Sequence, residues 1–195
     1  MKTKRSYLGM IIPLIFAVVI SGCASFQEQK QEVISTVVSA DGSPISYGVK
    51  GMGEPTIVFV HCWTCSHEFW KDQIDYFSRT NRVVWLDLAG HGQSGSNRSN
   101  YTMEAFGEDV AAAVNKAGVN RVVLVGHSMG GPVSIEAAKI LGDKVVAIVG
   151  VDTFYTPFQY PESEAEINGF VKPFEKDFAG TTQQMFESMF SPNVD

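Results

Sequence analysis

The 195-residue sequence predicts an α/β fold: a mostly parallel, doubly wound sheet opened by an N-terminal hairpin. Three observations predict it. Short, continuous apolar runs recur at 56–60, 82–86, 121–125 and 145–151, the pattern of strands buried on both faces. Helix-compatible segments lie between them, at 69–77, 103–117 and 132–141, and regular alternation of strand and helix implies right-handed crossovers with helices on both faces. The chemically informative residues His61, Asp87, Ser128 and Asp152 follow those strands, at the carboxyl ends where open α/β sheets gather their chemistry.

The elements follow in order. Residues 33–38 are β-rich, Asp41-Gly42 is a hairpin turn signal, and 45–49 resumes an alternating pattern. Gly51 to Pro55 breaks the chain before the first buried strand. A Gly/Ser-rich loop spans 89–100, and Thr102 is placed to cap the helix that carries Ala105, Phe106, Val110 and Ala113 on one face. One domain suits this length. Hydrophobic content of 45% against 18% charged residues lets it bury a core and excludes a disordered chain. The formal net charge is −6, and setting aside Lys2, Lys4 and Arg5 of the first 22 residues leaves −9 on the remainder. An acidic body without a Lys/Arg cluster argues against a nucleic-acid partner.

The N-terminus predicts a targeting segment. Lys2, Lys4 and Arg5 precede a 13-residue uncharged run, Leu8 to Ile20, shorter than the about 20 residues of a membrane span and suited to a signal-peptide core. Ile20-Ser21-Gly22-Cys23 resembles the lipobox of bacterial lipoproteins. That resemblance implies a signal peptide over 1–22, cleavage before Cys23 and acylation of Cys23. The protein would then sit in the bacterial cell envelope, attached to the membrane through lipid. Ala24 in place of an aspartate implies the periplasmic face of the outer membrane. Residues 23–32 read as a polar tether. An ordinary signal peptide with a chance cysteine and an uncleaved anchor helix are the alternatives.

Gly126-His127-Ser128-Met129-Gly130 matches G-x-S-x-G and lies between a buried strand and a helix, the context that gives the motif meaning. A serine hydroxyl attacks well when it is exposed and can pass its proton to a base. A sharp strand-to-helix turn projects Ser128, Gly126 and Gly130 leave the room such a turn needs, and the helix N-terminus favours an anion.

Three blocks now resemble the α/β-hydrolase superfamily, in particular its small, capped esterase and lactonase-like members: Val58-Phe59-Val60-His61-Cys62-Trp63, Asp87-Leu88-Ala89-Gly90-His91-Gly92-Gln93-Ser94, and Gly126-His127-Ser128-Met129-Gly130-Gly131. The resemblance covers about residues 35–151. It implies that Ser128 is the nucleophile and that Met129 N–H and Trp63 N–H form the oxyanion hole. It implies structural roles for Asp87, His61, His91 and His127. Cys62 stands where the family has glycine, which weakens the match at Trp63. The resemblance also implies hydrolysis of a carboxylic ester, thioester or lactone through an acyl-enzyme, without cofactor or metal. Serine at the elbow disfavours haloalkane and epoxide chemistry. Prolyl aminopeptidase, C–C hydrolase and perhydrolase activities stay open.

Cys62-Trp63-Thr64-Cys65 is a C-x-x-C that suggests thiol redox chemistry, or zinc with His61 and His67. A disulfide or two free thiols fit its place in the oxyanion loop better. All four histidines precede Ser128, whereas the fold supplies its acid and histidine after the nucleophile. The triad histidine is therefore expected outside this chain, which reads as a C-terminally truncated, incomplete hydrolase fold. Asp152 is a possible acid. The core is expected over 33–153 and the start of a helical cap over 154–195, with Pro161-Glu162 opening a helix, Pro173 kinking or splitting it, Gly180 ending it, and Thr181 or Thr182 capping a second one. The rival reading is a non-catalytic or degenerate lipoprotein with a truncated hydrolase fold.

Overall fold

The computed structural model describes residues 33–154 and 163–190. The signal peptide, the tether, Cys23 and the Pro161-Glu162 helix start lie outside the described residues.

Six strands form one sheet: β1 Val33–Val38, β2 Pro44–Lys50, β3 Thr56–Val60, β4 Val83–Leu86, β5 Val122–His127 and β6 Val145–Val151, in the order β1-β2-β4-β3-β5-β6. The hairpin β1–β2 pairs antiparallel and joins β4 antiparallel, and the remaining pairings are parallel. The predicted hairpin turn closes with Gly42 at φ 90° and with Ser39 N–H donating to Ser43 C=O at 2.9 Å. Five α-helices complete the described chain: α1 Lys71–Phe77, α2 Met103–Ala117, α3 Gly130–Leu141, α4 Glu164–Lys176 and α5 Phe178–Met189. A 3₁₀ turn over His67–Trp70 leads into α1.

Alternation along the strands sorts the core onto the two faces. Val58, Val60, Val84, Leu86, Val122 and Leu124 pack with α2 and α3. Phe59, Val83 and Trp85 pack on the other face with Trp70 and Ile74. This arrangement is the doubly wound sheet expected from the sequence. Thr102 caps α2, accepting from Ala105 N–H at 3.2 Å, and Gly118 ends the helix in the left-handed region at φ 68°.

Three expectations need correction. The run 145–151 has the composition of a buried strand, yet Val146, Ile148, Val149 and Val151 are exposed, because β6 is outermost in the sheet among the described residues. Helix α4 is capped by Ser163, which accepts from Glu166 N–H at 3.3 Å. It runs unbroken past Pro173 to Lys176 rather than splitting there, although proline has no N–H to donate to the carbonyl four residues earlier. Gly180 does not end it. Asp177 separates the helices and caps α5, accepting from Gly180 N–H at 2.9 Å, so Gly180, Thr181 and Thr182 lie inside the first turns of α5.

A buried ion cluster, unmarked in the sequence, ties the layers together. Arg98 donates to Asp109 on α2 and, at 2.6 Å from Nε, to Asp41 in the hairpin turn, while Asp109 also accepts from Ala89 N–H at 3.1 Å. The side chains of Arg98 and Asp109 are 1% and 0% exposed. Hydrogen bonding to Arg98 holds the Asp41 carboxyl down at about 2. Arg98→Met strands Asp109 as a buried, uncompensated charge and is expected to cost about 3–5 kcal/mol. Urea unfolding would measure it, and a loss below about 1 kcal/mol would show that the cluster is not structural.

Candidate active site

The site is assembled at the carboxyl ends of β3, β5 and β6. Strand β5 runs two residues further than the apolar pattern indicated, to His127, and α3 begins at Gly130, leaving Ser128 and Met129 as the whole connection. Ser128 is exposed and adopts φ 50°, a left-handed conformation that costs a non-glycine residue roughly 1–3 kcal/mol and persists only where neighbours enforce it. Its N–H donates to Val151 C=O at 3.0 Å, and its C=O accepts from Gly131 N–H at 2.9 Å.

Close packing explains the flanking glycines. A Cβ on Gly126 would lie 2.2 Å from Gly130 O, and one on Gly130 would lie 2.4 Å from Val60 O and 2.8 Å from His61 O. The start of α3 is thus pressed against the end of β3, which brings the 61–65 loop beside the serine turn. Met129 and Trp63 both lie there, and no hydrogen bond to another described residue engages either N–H. Asp152 follows β6 in a left-handed conformation, φ 49°, and is exposed.

The four histidines have their described contacts with residues other than Ser128. His61 is fully buried: Nε2 accepts from Leu88 N–H at 3.0 Å and Nδ1 lies 2.7 Å from Cys62 O. That pattern defines the Nδ1–H tautomer. Burial pushes its pKa down to about 4, against an opposing hydrogen bond to Cys62 C=O. His67 engages Asp87 Oδ1 through its N–H at 2.7 Å and its Nδ1 at 2.9 Å. The other Asp87 oxygen accepts from Gln93 N–H at 2.8 Å, so Asp87 organises two loops. The His91 ring packs 5.0 Å from His61. His127 stacks on Phe69 at 4.5 Å, and its buried Nδ1 has no partner among the described residues. Burial lowers its pKa, partly offset by the charge of Asp152.

The neutral His61 implies a pH dependence. The unfolded ring protonates below about 6.5 and the folded ring only near 4, so stability is full above 6.5 and falls as pH drops through that window, with a slope of at most about 1.4 kcal/mol per pH unit. His127 acts in the same direction. Urea midpoints from pH 7 to pH 4 should decline, and His61→Gln should flatten the decline. An unchanged slope in His61→Gln would remove this assignment.

Cys62 and Cys65 form a disulfide, with Cα atoms 5.4 Å apart. This pairing withholds both thiolates from metal or nucleophilic use, and no cluster of potential metal ligands occurs among the described residues. The Trp63 ring meets Phe174 and Phe178 edge-on, at 5.3 and 6.1 Å, which seats α4 and α5 over the loop. Sequence reading missed this contact, the Phe69–His127 stack and the His67–Asp87 pair. The chain spacing of these partners carries no periodic signal.

A doubly wound sheet whose strand β5 turns sharply into a helix through an exposed, left-handed serine defines the class: an α/β protein with a nucleophile-elbow geometry. A family model described as alpha/beta hydrolase fold matches residues 55–193, and the chain belongs to that family. The non-heme haloperoxidase of Rhodococcus erythropolis is 38% identical over 96 residues, covering 49% of this chain and 35% of that protein. The bifunctional esterase/perhydrolase of Acinetobacter calcoaceticus is 37% identical over 116 residues, covering 58% and 42% respectively. A malate-bound thermophilic esterase from Thermogutta terrifontis is similar in structure, with a TM-score of 0.66 at 27% identity, over 80% of this chain and 57% of that one. The chain spans less than half the length of these two curated relatives.

Proposed function

We propose that this chain supplies the nucleophile and oxyanion half of a serine hydrolase acting on a small carboxylic ester, thioester or lactone. Ser128 Oγ attacks the carbonyl carbon and gives its proton to a histidine base. The tetrahedral oxyanion is held by Met129 N–H and Trp63 N–H. Collapse breaks the bond to the leaving group, which takes the proton from the base, and water then releases the acid from the acyl-serine. Neither cofactor nor metal enters these steps. Asp152, exposed beside the elbow, is a candidate for the acid that orients the histidine. The base is assigned to none of His61, His67, His91 and His127, which all precede Ser128 and have their described contacts with other residues.

The observation that carries this reading is the exposed Ser128 at φ 50° between β5 and α3, with the free amides of Met129 and Trp63 nearby in the fold. Relatives named as an esterase/perhydrolase and a haloperoxidase support it. We also propose attachment to the periplasmic face of the outer membrane through lipid on Cys23. The lipobox-like sequence supports this, as does a disulfide, which persists in oxidising compartments.

A second reading, a non-catalytic lipoprotein built on the same fold, is favoured by the described histidines, whose contacts are with residues other than Ser128. A fluorophosphonate probe separates the two. Labelling of the chain that disappears in Ser128→Ala supports a competent nucleophile. A protein that supplies the histidine base and still goes unlabelled supports the binding role.

A further inference from the structure

The loop between β3 and the 3₁₀ turn is anchored at both ends. His61 fixes one end through Leu88 N–H, and His67 fixes the other through Asp87. Between those anchors, the hydrogen bonds of residues 62–65 among the described residues are local: Cys65 N–H to Cys62 C=O at 3.3 Å, the Thr64 hydroxyl to Trp63 C=O at 2.7 Å, and Cys62 C=O with the adjoining His61 ring. Thr64 sits in the left-handed region at φ 60°. The Trp63 ring reaches out of the loop to Phe174 and Phe178. The covalent link that spans these four residues is Cys62–Cys65, and Cys62 is buried.

We propose that the Cys62–Cys65 disulfide is a positioning element. Closed, it sets the Trp63 amide for the oxyanion and seats the Trp63 ring under α4 and α5. Opened, it releases both. This rests on the hydrolase reading for the amide but not for the ring. A dithiol reductant supplies two electrons and two protons, leaving two cysteine thiols and itself becoming a cyclic disulfide. Opening the bridge restores rotational freedom to a segment that few other bonds restrain, so the donor is no longer preorganised. The reactivity of Ser128 then tracks the thiol redox state around the protein.

The test compares the chain before and after dithiothreitol, with two independent readouts. The rate of fluorophosphonate capture at Ser128 should fall roughly tenfold or more, since losing one oxyanion donor typically costs about 10²–10³. Tryptophan emission should shift to longer wavelength. Trp70 and Trp85 are buried in the sheet core, so the change reports Trp63. Far-UV circular dichroism should stay constant, and Cys62→Ser/Cys65→Ser should match the reduced chain and ignore dithiothreitol. Unchanged capture and emission on reduction would overturn the inference while leaving the nucleophile intact. Collapse of the dichroism on reduction would overturn it too, by making the bridge a global staple. Absence of capture in both states would instead mean that Ser128 has no working base in this chain and would leave the bridge to the emission arm. The emission arm would then decide the loop's dependence on the bridge: a shift upholds it and constancy ends it. Should the double variant fail to fold, the wild-type reduction series decides.

Discussion

Ser128→Ala should abolish covalent capture by acyl and phosphonyl probes. In a protein carrying the whole triad, it should lower kcat for p-nitrophenyl acetate by on the order of 10⁶. The size of the effect follows from geometry. Removing one oxygen from an exposed position opens no cavity, so packing is untouched. Alanine at φ 50° costs about as much strain as serine does. The folded population should therefore persist while the chemistry vanishes, with unfolding midpoints nearly unchanged. The backbone donors of Met129 and Trp63 would remain, leaving a residual rate above that in water. Hydrolysis that survives in Ser128→Ala at more than a tenth of the original rate would remove the acyl-serine mechanism.

Gly130→Ala should be a strongly damaging small substitution at the elbow. The new methyl would press on Val60 O and His61 O, both backbone atoms that cannot rotate aside. Either α3 retreats from β3 or the turn distorts, and both move Ser128. A loss of about 1–3 kcal/mol is expected, with capture at Ser128 falling further than the fraction unfolded accounts for. Gly118→Ala is the internal comparison. That glycine has φ 68° but open space around it, so it reports left-handed strain alone, about 1–2 kcal/mol. Equal unfolding midpoints and equal capture in the two variants would mean that the close approach of α3 to β3 does not hold the elbow.

Much of the fold was legible because these strands are apolar on both sides and short, and because α2 carries its own start signal at Thr102. The elbow was legible for the same reason: five consecutive residues and their immediate context state the whole requirement. What escaped was non-local. Arg98 and Asp41 are 57 residues apart, and Arg98 gives no local sign that it will be buried. Gly180 reads as a helix terminator until Asp177 is seen to bond its N–H. In β6, valine and isoleucine state that the strand suits burial, but a strand's own residues do not name its neighbours. For the site, Ser128, Met129, Trp63 and Asp152 are brought to one end of the sheet, as their places after the strands implied. The bonding state of Cys62 and Cys65 could not be read from spacing, since C-x-x-C serves disulfides, thiols and metals alike.

The amide of Ser128 hangs from Val151, the last residue of the outermost described strand. Peripheral strands fray at lower free energy than interior ones. Breathing of that rim therefore tugs at the reactive turn directly, without passing through the interior. Deuterium uptake at the Ser128 amide should follow that of β6 and outpace that of β3, giving a local gauge of how long the reactive turn stays assembled.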